Sequence, residues 1–234
     1  MLENFDVQLQ SFFNQWKHIP LPYQKEETED STLSSKHKLD NFFKEFEIAY
    51  RPIIQVKKQG LFANVWRTSG LKKDEVKNTQ VLKWFLDCNA EHGLENFVLD
   101  ILLKNASIKC KTPENYFSYT ETYPINDGKN RVDIEIESPE LLLFIEVKIE
   151  ASEGFEQLKR YQEIAEKKAK GKQWAIIYLT QNGKLPLNYS QSEYLIPISW
   201  GKFSNAIFHH TQKLNMKTHN IWLLNQFAEH IKTF

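Results

Sequence analysis

The sequence predicts an α/β protein in which a mixed β-sheet is flanked by helices. Three features support this class: short runs rich in β-branched and aromatic residues, amphipathic stretches on either side of them, and one helical stretch between two strand-like runs. A strand–helix–strand order indicates a crossover and a parallel pair, while strands joined by a tight turn pair antiparallel. We therefore expect both kinds of pairing in one sheet.

The composition fits a globular protein of one large domain, or of one domain with a helical extension. The 234 residues are 41% hydrophobic, with 16 Phe and 6 Trp available for a core. The formal net charge is zero, which removes the argument for a general polyanion binder. Cys88 and Cys110 have no metal-type spacing, the N-terminus does not read as a signal peptide, and no apolar run approaches the ~20 residues of a membrane span. We expect a cytoplasmic protein without a membrane partner.

Residues 1–70 are predicted to form a helical N-terminal extension. Apolar residues recur at helical spacing in two stretches, Phe5, Leu9, Phe12, Phe13 and Trp16, and then Leu39, Phe42, Phe43 and Phe46. The polar segment between them, residues 20–36, is predicted to be a linker. We interpret the aromatic faces as packing faces. The same helices are candidates for a homodimer contact or for binding a protein partner.

Residues 71–234 are predicted to form the α/β domain. Its elements, in order, are helices over 71–87 and 94–102, a strand over 116–124, a hairpin over 132–148, a helix from Ser152 to about Lys170, strands over 174–180 and 194–199, and a closing helix over 219–231.

Charged residues interrupt the hairpin, which is otherwise the most apolar part of the chain. Asp133 lies in the first strand, and Glu146 and Lys148 lie on one face of the second. A turn of two or four residues would place Asp133 opposite Glu146, with Cβ atoms ~5 Å apart. A turn of odd length would send the two acids to opposite faces.

Two carboxylates that close require a cation or a proton between them. A divalent ion bound by oxygen ligands is the simplest arrangement, and Lys148 can reach the same place from two residues along the strand. The alternative is a solvated hairpin face with a Glu–Lys pair. The second strand is apolar on both faces up to Glu146, which indicates burial and weakens that alternative.

These residues resemble a known signature. Asp133, twelve residues, and then Glu146-Val147-Lys148 resemble the D…(D/E)-x-K pattern of the PD-(D/E)XK nuclease superfamily. Gln157-x-x-x-Tyr161 resembles the helix motif of its RecB-like branches. Upstream, residues 73–103 are similar to the opening block of an uncharacterised bacterial branch, through Glu75, Thr79, Leu82, Trp84, Asp87, His92, Gly93 and Phe97.

The resemblance covers residues 70–234 and implies a restriction-endonuclease-like core with Mg²⁺-dependent nuclease activity. It implies that Asp133, Glu146 and the Val147 carbonyl bind Mg²⁺, for which Mn²⁺ can substitute. Lys148 would orient a water and offset charge on the phosphate. Gln157 and Tyr161 would position the substrate or a metal-bound water. DNA is the expected substrate, and RNA stays an open alternative.

A third carboxylate often completes the metal site in this superfamily, and two acids compete for the role. Glu75 begins the first helix and matches the family block. Glu95 begins the next helix and falls beside its apolar face. Both could instead be favourable charges at a helix N-terminus, worth ~0.3–1 kcal/mol. We favour Glu75.

Other residues of the block have weaker claims. The signature Pro is Val132 here, and the branch often has His at the position of Asn78, so a substrate contact made by that His would be absent. His92 is interpreted as structural support. Six basic residues could form a phosphate-binding rim or a plain solvated helix: Lys159, Arg160, Lys167, Lys168, Lys170 and Lys172.

Two rival functions remain at this stage. One is a catalytically inactive module on the same fold that binds nucleic acid or protein. The other is a structural α/β protein whose acidic hairpin holds no metal. Degradation of DNA in the presence of Mg²⁺ or Mn²⁺ separates the first from a nuclease, and metal titration separates the second.

Overall fold

The computed structural model describes residues 29–124, 131–150, 157–214 and 218–234, and the chain divides into two compact units, Met1–Phe62 and Ala63–Phe234. In the first unit, helix α1 (Glu29–Lys58) is continuous over 30 residues. The linker predicted over residues 20–36 is therefore wrong from Glu29 onward. The stretch around Phe12 lies outside the described residues.

The aromatic face of α1 is exposed, so its interpretation as a packing face is wrong for the described residues. Phe42 is 55% exposed and Phe46 is 42% exposed. The two rings stack on each other with centroids 6.2 Å apart, and Phe46 stacks on Tyr50 at 5.6 Å. A homodimer or protein partner through this helix stays a prediction.

The second unit contains the α/β fold. In chain order its elements are α2 (Val65–Thr68), α3 (Glu75–Phe85), α4 (Phe97–Asn105), β1 (Phe117–Thr122), β2 (Val132–Glu137), β3 (Leu141–Val147), α5 (Gln157–Ala169), β4 (Gln173–Thr180), β5 (Leu195–Ser199), α6 (Trp200–Gln212) and α7 (His219–Ile231).

The sheet has five strands in the order β1-β2-β3-β4-β5. The pairs β1–β2 and β2–β3 are antiparallel, whereas β3–β4 and β4–β5 are parallel. Helix α5 connects β3 to β4 and supplies the crossover that a parallel pair requires. The predicted mixed sheet flanked by helices is confirmed.

Strand β3 lies between two apolar layers. Leu143 and Ile145 pack in the larger core with residues of α3, α4, α6 and α7. Leu142 and Phe144 pack in a second cluster with residues of α5. All seven residues of β3 are buried, because both faces of the strand are covered. Charged residues at the end of this strand are therefore held by protein rather than by water.

Two features of this unit were not predicted. Helix α6 begins directly after β5, with the Ser199 side chain accepting a hydrogen bond from the Lys202 N–H as an N-cap. Residues 63–70 belong to the second unit, because Asn64 Nδ2 donates to the Gln226 carbonyl at 2.9 Å. The prediction of two domains, residues 1–70 and 71–234, stays a prediction.

No helix in the described ranges has the length and apolar character needed to cross a membrane. Cys88 and Cys110 are both free thiols. The cytoplasmic location expected from the sequence stays a prediction.

Candidate active site

The β2–β3 hairpin has the even register that the sequence predicts. Its pairs run from Glu137–Leu142 to Ile134–Ile145, and the turn residues are Pro139 and Glu140. The turn is closed by Ser138, whose N–H donates to the Leu141 carbonyl at 2.8 Å and whose Oγ accepts from the Leu141 N–H at 3.0 Å. Continued by one residue, this register sets Asp133 against Glu146.

The backbone hydrogen bonds between β2 and β3 stop at the open end of the hairpin, and there the Asp133 carboxylate accepts a hydrogen bond in place of a backbone carbonyl. In a regular antiparallel ladder, Val132 and Val147 would be the next pair of residues joined by backbone hydrogen bonds. There the Val147 N–H donates instead to Asp133 Oδ2, at 2.8 Å. Asp133 is thereby fixed beside the backbone of the Glu146-Val147-Lys148 segment.

Glu146 is fully buried and only one of its two carboxylate oxygens is hydrogen-bonded. Oε1 accepts from Lys148 Nζ at 2.6 Å and from Gln157 Nε2 at 2.7 Å. Oε2 has no hydrogen-bond partner among the described residues. A buried acceptor without a partner costs free energy, so Oε2 is a ready ligand for a cation.

The pKa values of both acids are raised in the folded protein. Burial, and next the neighbouring Asp133 carboxylate, raise the pKa of Glu146 to about 7. Burial also raises the pKa of Asp133, although the Val147 N–H and the Lys148 ammonium oppose the change. A divalent ion would relieve both effects, because it stabilises the two ionised carboxylates together.

Lys148 lies between the acids on the hairpin and the first residue of α3. Its Nζ is 2.6 Å from Glu146 Oε1 and 3.5 Å from Glu75 Oε1. Burial disfavours the ammonium, but the surrounding carboxylates outweigh it and raise the pKa of Lys148. The Lys148 carbonyl accepts from Trp200 Nε1 at 3.1 Å. The sequence patterns assign no role to Trp200.

Helix α5 brings Gln157 and Tyr161 to the same place, as their four-residue spacing predicts. Gln157 Nε2 reaches both Glu146 Oε1 and the Tyr161 hydroxyl, each at 2.7 Å. The Tyr161 hydroxyl donates to the Arg131 carbonyl. Burial, and next the Glu146 carboxylate, raise the pKa of Tyr161, which keeps it a neutral donor.

Of the two acids that compete as third carboxylate, Glu75 lies with the group. Its Oε2 accepts from the Ile149 N–H at 3.1 Å, and its Oε1 faces Lys148. Glu95 is exposed, has a φ of 49°, and precedes α4 rather than belonging to it. No contact of Glu95 with the site is found among the described residues. The role of Glu75 as a metal ligand stays a prediction.

Glu75→Gln is expected to weaken Mg²⁺ binding and activity without lowering the thermal stability, because the amide oxygen can still accept from Ile149 but carries no charge. Glu95→Gln is the matched control and should be near neutral. Calorimetric Mg²⁺ titration and thermal unfolding of both variants measure this. The opposite ranking would move the third carboxylate to Glu95.

The donor set fits a hard divalent ion only in part as it stands. Within the described ranges, no three His, Cys, Asp or Glu side chains are grouped so as to hold a metal. Asp133 and the free oxygen of Glu146 are the candidate ligands, with the Val147 carbonyl expected from the resemblance. Lys148 supplies the positive charge that the acids require in this arrangement.

Metal affinity is expected to depend on pH. Because the pKa of Glu146 is raised to about 7, this carboxyl is protonated below that pH, and the ion must displace the proton. Affinity should therefore rise by up to about tenfold per pH unit below 7 and level off above it. Calorimetry in buffers of different ionisation enthalpy measures the proton release. An affinity that does not change between mildly acidic and mildly alkaline pH contradicts this prediction.

Several residues of the upstream block are structural. His92 Nδ1 accepts from the Leu94 N–H at 2.9 Å, and its Nε2 lies 2.8 Å from the Trp84 carbonyl. Asn78 is fully buried and its Oδ1 lies 3.0 Å from His230 Nε2. These side chains fix the α3–α4 connection and the contact of α3 with α7.

Two members of the predicted basic rim are internal ion-pair partners. Lys168 contacts Glu135, whose side chain is 2% exposed, and lies 3.3 Å from Glu137. Lys172 pairs with Glu137 at 2.8 Å. Both lysines neutralise acids of β2, so they are neither a free phosphate rim nor a plain solvated helix face.

A five-stranded mixed sheet whose antiparallel hairpin joins two buried acids and a lysine defines a restriction-endonuclease-like α/β protein. A family profile described as the PD-(D/E)XK nuclease superfamily matches residues 63–233, and the chain belongs to that superfamily. No curated protein and no solved structure matches the chain. Membership of a RecB-like branch stays a prediction.

Proposed function

We propose that the protein is a Mg²⁺-dependent nuclease that hydrolyses phosphodiester bonds, with DNA as its substrate. The observation that carries the proposal is the free Oε2 of the buried Glu146, held beside Asp133 and Lys148 at the open end of one hairpin. Membership of a nuclease superfamily supports it.

The residues of the site divide the chemical tasks. Asp133, the free oxygen of Glu146 and the Val147 carbonyl would hold the ion, with Glu75 as the third carboxylate. The bound ion supplies Lewis-acid activation of the phosphate and of a water. Lys148 orients the attacking water and offsets the negative charge that develops on the phosphate oxygens.

Helix α5 contributes positioning. Gln157 holds Glu146 Oε1 by its amide, while Oε2 has no hydrogen-bond partner among the described residues. Tyr161 holds Gln157 and ties α5 to the Arg131 carbonyl. Both side chains can rearrange to contact the substrate when it binds, as the resemblance implies.

Asp133→Asn tests the metal site. The amide removes the charge but can still accept from the Val147 N–H, so the fold is retained. Mg²⁺ binding should weaken by at least about tenfold, and DNA cleavage should be lost with it. The control is Glu114→Gln, an exposed acid paired with Lys111. Unchanged Mg²⁺ affinity in Asp133→Asn overturns the assignment.

The second candidate is an inactive module with the same fold. The observation that favours it is the close Lys148–Glu146 pair, which leaves the acids neutralised without an ion. Incubation of plasmid, linear and single-stranded DNA with Mg²⁺ or Mn²⁺ decides between the two. Absence of cleavage that coincides with stoichiometric binding of nucleic acid supports the module.

A further inference from the structure

Strand β1 presents two aromatic rings at the edge of the sheet. Phe117 is 66% exposed and Tyr119 is 43% exposed. Their rings are nearly parallel, with an interplanar angle of 18° and centroids 6.2 Å apart. Neither ring belongs to the two apolar clusters of the core, so both are available for a contact with a ligand.

The two rings lie on the face of the sheet that carries the acids. Phe117 is paired with Glu137 and Tyr119 with Glu135, so each pair shares a face. Glu135 is in turn paired with Phe144, and Glu146 repeats on that face two residues further along. Helix α5 packs on β3 and β4. The rings on β1 stay open to solvent beside it.

Strand geometry gives the separation between the rings and the acids. With ~3.4 Å per residue and ~4.8 Å between strands, the backbone of Tyr119 lies about 8 Å and that of Phe117 about 14 Å from that of Asp133. A stacked strand of nucleic acid rises 3.4 Å per nucleotide, so these distances correspond to about two and about four nucleotides. The rings therefore lie within reach of a strand held at the acids.

The acids around the rings are paired with cations, so they repel a polyanion less than unpaired acids would. Glu135 and Glu137, the neighbours of the two rings on β2, are both paired with lysines of α5 and its C-terminal turn. Arg131, half exposed and paired with Glu121 at 3.3 Å, lies next to the start of β2. The surface from the rings to the site is thus close to neutral.

We propose that Phe117 and Tyr119 form a stacking platform for the bases of single-stranded nucleic acid leading into the site. The inference rests on the proposed nuclease function and names its substrate class. Every base has a π-face that can stack on an aromatic ring, and a single strand exposes these faces, whereas a duplex buries them. An end of a duplex whose strands have separated would be recognised in the same way.

The test is a binding comparison in EDTA, where the strand is not cut. Fluorescein-labelled oligothymidylate, a duplex of equal length, and an abasic strand of equal length are titrated with the full chain at fixed salt. The variants are Phe117→Leu, Tyr119→Leu and the double change. Tyr194→Leu is the control, because Tyr194 is 41% exposed and stacks on Trp174 elsewhere on the surface.

Each ring removed should weaken binding of oligothymidylate by about fivefold or more. Binding of the duplex and of the abasic strand should not change, and neither should any binding by Tyr194→Leu. Thermal unfolding of each variant confirms that the fold is retained. Equal affinities of the double variant and the parent protein for oligothymidylate overturn the proposal, as does an equal loss for the abasic strand.

The stacking platform and the nuclease function can be rejected independently of each other. If the parent protein binds oligothymidylate through the rings and cuts no nucleic acid with Mg²⁺ or Mn²⁺, the platform stands and the nuclease function falls. If it cuts single strands and the double variant does so with an unchanged KM, the nuclease function stands and the platform falls.

Discussion

Lys148→Met is expected to abolish phosphodiester hydrolysis and to leave metal binding intact or tighter. The ammonium is 2.6 Å from Glu146 Oε1, where it would compete electrostatically with an ion held by the same carboxylate. Met keeps the length and apolar contacts of the stem but carries no charge. The loss of a preorganised cation at the phosphate should lower the rate by at least about 10²–10³-fold.

Two measurements on one protein preparation check this prediction. Single-turnover cleavage of DNA gives the rate of the chemical step, and calorimetry gives the Mg²⁺ affinity. The control is Lys73→Met, which removes a lysine whose 2.7 Å ion pair with Glu150 is exposed to solvent. Cleavage by Lys148→Met at the rate of the parent protein would show that Lys148 only neutralises Glu146.

Lys168→Met is expected to destabilise the fold strongly. Glu135 is buried under α5, and among the described residues its remaining hydrogen bond would be the one from Thr122 Oγ1, at 3.0 Å. Removal of one partner of a buried ion pair leaves an uncompensated charge, which costs about 3–5 kcal/mol of unfolding free energy. Urea unfolding of the full chain measures the change.

Two further variants separate this cause from a general loss of packing. Lys172→Met breaks the 2.8 Å pair with the partly exposed Glu137 and should cost no more than about 1 kcal/mol. The double change Lys168→Met with Glu135→Leu should recover most of the loss, since two apolar groups replace the pair. Equal destabilisation by Lys168→Met and Lys172→Met would show that Glu135 does not depend on Lys168.

The hairpin could be predicted from the sequence because its information is local. Side chains in a strand repeat every two residues, and an even turn then sets Asp133 against Glu146 whatever the rest of the chain does. The 3.6-residue repeat likewise placed Gln157 and Tyr161 on one face of α5. Both expectations depend on residues fewer than thirty positions apart.

The remaining parts of the site depend on contacts across the whole chain. Glu75 meets Ile149 and Lys148 only because α3 packs at the end of β3, and no local pattern distinguishes this from a charge at a helix N-terminus. The exposure of the aromatic face of α1 is similar, since helical spacing reports an apolar face and not what covers it.

The length of the two-residue turn at Pro139 and Glu140 sets the register between β2 and β3, so the site is sensitive to insertions and deletions in this turn. Loss or gain of a single codon there would make the turn odd and exchange the faces of β2. Asp133 would then turn toward the apolar core. Glu146 would stay in place, because all seven residues of β3 are buried between the two apolar layers. A codon lost from residues 187–193, between β4 and β5, would leave the hairpin untouched. Inherited changes in chain length should therefore collect at that connection and spare the turn.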